Sequence, residues 1–228
     1  MKSKKQLLKG WKIYAIVDES FFPDARTLLK KFRDLTESPV DVIQFRYKKV
    51  YDESFFRSAR KMTLLAKTKG ISLIINDRPE IALMIGASGV HLGKGDVSVR
   101  TARKLLGRDA IIGQTIRKFT DFSEARDIKE IDYAAIGPVF DTPLKPALRR
   151  ITSRRLREAV EKIKIPLVAI GGISDTNVEE VLQKGIKTVA FVRYALTQKN
   201  TKEKIEKLRK IINNFPPTLK FTRVGEIG

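Results

Sequence analysis

The stretch LIINDRPEIALMIGASGVHLGKGD, Leu73–Asp96, decides the fold. Two apolar runs, Ser72–Asn76 and Gly89–Leu92, each stop at a polar cluster, first Asn76-Asp77-Arg78, then His91 to Asp96. Between them, Pro79–Ile85 has helical spacing. Nearly continuous apolar runs suit parallel strands covered on both faces, where an alternating pattern would suit a half-exposed sheet. Strand, helix and strand in this order form a βαβ unit.

The unit recurs in both directions. Further strand candidates are Ile13–Val17, Val40–Arg46, Ala110–Thr115, Tyr133–Gly137, Leu167–Gly171 and Thr188–Val192, which makes eight with the first two. Helical spacing falls near Asp24–Leu35, Glu53–Lys69, Val97–Leu106, Asp121–Glu130, Thr152–Ile163 and Asn177–Lys184. A last helix at Lys202–Asn213 carries one stripe of Ile205, Leu208, Ile211 and Ile212. Eight strand–helix repeats in 228 residues predict an α/β fold, a (β/α)8 TIM barrel in a single domain. The rival, an open doubly wound sheet, should show a glycine-rich turn after its first strand. YAIVDESFFPD, Tyr14–Asp24, has no glycine. The barrel is expected over residues 1–214, with 215–228 as a C-terminal extension.

Composition narrows the chemistry. There are no cysteines, so thiolate metal sites, disulfides and cysteine nucleophiles are excluded. His91 is the single histidine; it reads as a packed strand-end residue rather than an acid–base catalyst. No apolar run approaches the roughly 18–20 residues that span a bilayer, and the basic N-terminus lacks a signal peptide's long apolar region. A cytoplasmic protein without a membrane partner is expected. Lysine and arginine total 46 against 26 acids, a net charge of +20 that attracts anions. Lysine is spread along the whole chain, as on a solvated surface. The Arg149–Arg157 cluster lacks interleaved aromatics, so nucleic acid is not the expected partner.

Barrel chemistry gathers at the C-terminal ends of the strands. Read in turn, those ends carry Asp18; Gln44, Arg46 and Lys48; Asn76 and Asp77; His91 and Asp96; Gln114 and Thr115; Pro138 to Lys145; Gly171 and Gly172; and Arg193. Neighbouring strands lie about 4.8 Å apart, so Asp77 and Asp96 can meet around one point. Two carboxylates there coexist ionised when a cation lies between them. All-oxygen ligands favour Mg²⁺, which fills its other positions with water and substrate phosphate. Each aspartate alone reads equally well as a helix cap; the nearby Arg46, Lys48 and Lys145 favour the metal. Gly171-Gly172 follows the seventh strand, where such barrels place a phosphate, and glycine lets backbone approach a ligand.

The segments VIQFRYKK, LIINDRPEIALMIGASGVHLGKGD, AIIGQT, YAAIGPVFDTPLKP and VAIGGI, in order between about Tyr14 and Leu196, resemble thiamine-phosphate synthase. The resemblance implies a transferase that joins hydroxymethylpyrimidine diphosphate to thiazole phosphate and releases diphosphate. It implies catalytic roles for Arg46, Lys48, Asn76, Thr115 and Lys145 at the diphosphate. Gln44, Thr142, Gly171, Gly172 and Arg193 would bind substrate, Asp77 and Asp96 would hold Mg²⁺, and the partners would be small phosphorylated molecules. It also suggests a homodimer.

The sequence departs from the family at several positions, and the radical changes cluster on the thiazole side while the diphosphate side is largely intact. Arg-Glu-Lys reads Arg46-Tyr47-Lys48, a glutamine is Lys94, a serine is Thr115, a threonine is Leu144 and a phosphate-binding serine is Arg193. The glycine-rich stretch is replaced by ALRRITSRR, Ala147–Arg155. These changes leave room for a non-catalytic or altered-specificity binder of phosphate ligands. The related thiazole tautomerase resembles the chain less, since its catalytic histidine falls on Pro138.

Overall fold

The computed structural model describes residues 3–49, 52–116, 128–142, 148–197 and 200–216. Eight parallel strands close into a barrel in sequence order. They are β1 (Ile13–Asp18), β2 (Val42–Arg46), β3 (Ser72–Asn76), β4 (Gly89–Leu92), β5 (Ile111–Ile116), β6 (Tyr133–Ile136), β7 (Leu167–Ile170) and β8 (Thr188–Phe191). β8 returns to β1 with Ile13 opposite Val189. The α-helices among the described residues are α1 (Lys4–Gly10), α2 (Ala25–Thr36), α3 (Glu53–Thr68), α4 (Pro79–Ile85), α5 (Val99–Leu106), α6 (Ser153–Lys162), α7 (Val178–Gln183), α8 (Arg193–Leu196) and α9 (Thr201–Asn214). The helix expected at Asp121–Glu130 falls largely on residues outside those described; its end is a 3-10 turn at Ile128–Glu130.

The pleat sorts each strand's side chains to two faces. Ile13, Ala15 and Val17 face outward and pack with the helices, as do Ile43 and Phe45, Leu73 and Ile75. Tyr14, Ile16, Val42, Ile74, Ile111, Tyr133, Val168 and Ala190 fill the barrel interior together with Leu8 and Trp11. Both faces are covered, which is why the runs are nearly continuously apolar. The Tyr133 ring crosses the interior only because its neighbour is Gly113, where a Cβ would sit 2.0 Å from the Tyr133 Cζ.

Helix α1 and the α8 turn are not legible in the apolar periodicity. Ser3 and Gln6 form a reciprocal capping box at the start of α1. The helix places Leu8 and Trp11 across the N-terminal end of the barrel, and the Trp11 ring meets Tyr133 edge-on at 5.4 Å. At the same end, the Asp41 carboxylate accepts from the Lys12 and Ile13 amides and from Arg209 on α9. That contact ties the last helix to the first two strands.

Candidate active site at the barrel mouth

The register sets which strand ends meet. Asp18 lies opposite Arg46 on adjacent β1 and β2, and Arg46 Nη1 donates to Asp18 Oδ2. The other Asp18 oxygen accepts from the Ser20 amide at 3.1 Å and its hydroxyl at 2.7 Å. A buried carboxylate, 8% exposed, therefore holds the guanidinium at the rim. In the sequence Asp18 is only a polar residue at a strand end; its opposition to Arg46 emerges from the register.

One strand further, Asn76 lies opposite His91. Asp77, the next residue, has φ 65°, a left-handed conformation that aspartate tolerates better than most residues. Its amide still donates to the His91 carbonyl at 2.8 Å. Lys48 Nζ donates to Asp77 Oδ2. Asp96 accepts from the Gly93 amide at 2.6 Å, and its carboxyl hydrogen-bonds that of Asp77. Neither acid caps a helix. α4 begins after Arg78 with no side-chain cap, and α5 is capped by Ser98, which accepts from the Thr101 amide.

The two acids divide their proton affinity. Burial pushes Asp77 up, but hydrogen bonds from Lys48 and Asp96 and the Lys48 charge outweigh it, leaving Asp77 below the usual carboxylate range. Burial and the neighbouring Asp77 carboxylate push Asp96 up, against the Gly93 amide and Lys48. Two neighbouring carboxylates that push each other's proton affinity apart mark a place that a divalent cation suits, and Mg²⁺ needs only one or two protein carboxylates. Among the described residues there is no group of three or more histidine, aspartate or glutamate side chains poised around a metal. The pair would thus leave most coordination positions to water and phosphate oxygens.

Beneath this rim a hydrogen-bonded chain crosses the interior. Gln44 Nε2 donates to the Tyr14 hydroxyl at 2.7 Å, which meets the Tyr133 hydroxyl at 2.7 Å. Tyr133 meets His91 Nδ1 at 3.0 Å, and His91 Nε2 meets Thr115 Oγ1 at 2.8 Å. Gln44 and His91 are buried, and Thr115 is half-buried at the mouth. The tyrosines' part was invisible in sequence, where both look like core aromatics.

On the far side, Gly171 and Gly172 have φ 103° and 65°. Added Cβ atoms would lie 2.5 Å from the Pro138 Cβ and 2.6 Å from the Asp141 carbonyl oxygen. Packing of the β6 loop therefore demands both glycines, apart from any ligand. The helical spacing near Asn177–Lys184 is realised as α7 from Val178, after a turn in which the Ser174 amide donates to Asn177 Oδ1 at 2.9 Å. Arg193 opens α8 directly beyond β8 and is exposed. Thr142 closes the described part of the β6 loop, while Leu144 and Lys145 lie outside the described residues.

The sequence model of the family described as thiamine monophosphate synthase matches residues 13–195. A thiamine-phosphate synthase of Halalkalibacterium halodurans is 38% identical over 188 residues, 81% of this chain and 87% of that protein. One from Shouchella clausii is 35% identical, covering 86% of this chain and 93% of its own. The structure of a thiamine phosphate pyrophosphorylase from Pyrococcus furiosus superposes with a TM-score of 0.81 at 29% identity, covering 92% of this chain and 99% of that one.

Proposed function

The chain belongs to the thiamine monophosphate synthase family, and on that footing we propose that its barrel mouth joins hydroxymethylpyrimidine diphosphate to thiazole phosphate. It is a transferase of thiamine biosynthesis acting on small phosphorylated substrates. The observation that carries the assignment of the site is the facing pair Asp77 and Asp96, with Lys48 on one acid and Arg46 on the neighbouring strand end.

The reaction breaks the bond between the pyrimidine's methylene carbon and the diphosphate oxygen, whose electron pair leaves with diphosphate. The thiazole nitrogen then gives its own lone pair to that carbon, so no strong base is needed. The main demand is to stabilise charge on the leaving group. Arg46, Lys48, Asn76, Thr115 and Lys145 meet it as donors, with Asp18 fixing the Arg46 fork. Asp77 and Asp96 would hold Mg²⁺, which when bound supplies further charge neutralisation at the diphosphate. Gln44 orients the pyrimidine. Thr142, Gly171, Gly172 and Arg193 take the thiazole phosphate, and Arg193 brings a full positive charge to that end.

The test is thiamine phosphate formation from both precursors with Mg²⁺. The expected result is stoichiometric diphosphate and product, with neither precursor consumed alone. Tight binding of the pyrimidine diphosphate without product would instead make the chain a non-catalytic binder.

A further inference from the structure

The interior chain has a direction, and direction decides what Thr115 can offer. Gln44 presents its amide nitrogen to Tyr14, so the Tyr14 oxygen accepts there. Both tyrosines are buried, at 2% and 0% exposure, so neither hydroxyl is open to bulk solvent. Tyr14 must therefore donate to Tyr133, and Tyr133 in turn to His91 Nδ1. A histidine that accepts at Nδ1 carries its proton on Nε2 and donates it to Thr115 Oγ1. The Thr115 hydroxyl proton is then directed out to the mouth. In the reverse direction Tyr14 would accept from both Gln44 and Tyr133, and its own proton would be buried without an acceptor.

We infer that His91 is a positioning residue, locked as the Nε2–H tautomer by Gln44, Tyr14 and Tyr133 so that Thr115 donates to the departing diphosphate. This rests on the reaction proposed above and explains why a histidine with no acid–base task sits at the end of β4. Aligned hydrogen bonds polarise one another, so the outer donor is stronger than an isolated hydroxyl.

Because His91 is the single histidine, ¹⁵N-histidine labelling of the full chain gives one imidazole signature, read without substrate. The expected spectrum is one tautomer, protonated at Nε2 and bare at Nδ1 at neutral pH. Tyr133→Phe should abolish that preference. In kinetics, Thr115→Val should lower kcat about 10- to 100-fold, the range for a bond to a charged group. Tyr133→Phe should lower it about 3- to 10-fold, yet cost nothing further once Thr115 is valine, which a merely structural tyrosine would not show. A proton on Nδ1, protons on both nitrogens, or equal Tyr133→Phe losses with and without the Thr115 hydroxyl would overturn the inference. An Nε2–H spectrum with no thiamine phosphate formed would overturn the reaction and support the bond direction alone.

Discussion

Asp77 carries two burdens at one residue, a left-handed backbone and a carboxylate facing Asp96. The two separate by substitution. Asp77→Asn keeps a side chain that tolerates the conformation and removes the charge, so the fold should persist while kcat falls about 10²- to 10³-fold, as when a key charge stabiliser is lost. Asp77→Ala should lose roughly 1 kcal/mol more stability than the asparagine variant, because alanine dislikes positive φ; urea unfolding of both variants measures this. At Asp18, the asparagine variant frees the Arg46 guanidinium from its ion pair and should lower kcat about tenfold with the barrel intact, since a misaimed fork still binds but stabilises charge less well. Steady-state kinetics with the pyrimidine diphosphate would show that split between kcat and KM. The polar rim was readable in sequence because each apolar run stops at it. The Asp18–Arg46 pair and the chain from Gln44 to Thr115 were not, because their members are scattered over five strands and meet only through register.

At the scale of elements, strands were the readable part. Ser72–Asn76 and Gly89–Leu92 fall on β3 and β4 as expected, since a strand buried on both faces is mostly apolar. Helix starts were less readable. Val97 and Ser98 precede α5, because Ser98 supplies the cap, and α1 is too short, at seven residues, to display periodicity. Its contribution comes through Leu8 and the Trp11 that follows it. Trp11→Ala should destabilise the barrel by about 3–5 kcal/mol, the usual range for emptying a large aromatic site, as read by the denaturation midpoint. Activity per folded molecule should fall no further than in Tyr133→Phe, because Trp11 touches the candidate site only through the Tyr14 and Tyr133 rings it packs against.

Across the whole molecule, the eightfold repeat made the closed barrel legible, and among the described residues no helix is long and apolar enough to cross a membrane. The net charge of +20 belongs to this scale, because a field summed over the surface acts on anionic substrates from every side. Raising salt from about 0.05 to 0.5 M shortens the screening length severalfold, and kcat/KM should fall about tenfold with kcat nearly constant. The central claim, that Asp77 and Asp96 together hold the cation that steadies the departing diphosphate, is tested most directly by diphosphate release against Mg²⁺ concentration. The wild type should show saturable dependence on Mg²⁺ and no release with a chelator, while Asp77→Asn and Asp96→Asn remain folded and release little at any concentration. Either variant releasing diphosphate at the wild-type rate, with the wild-type dependence on Mg²⁺, would contradict the account.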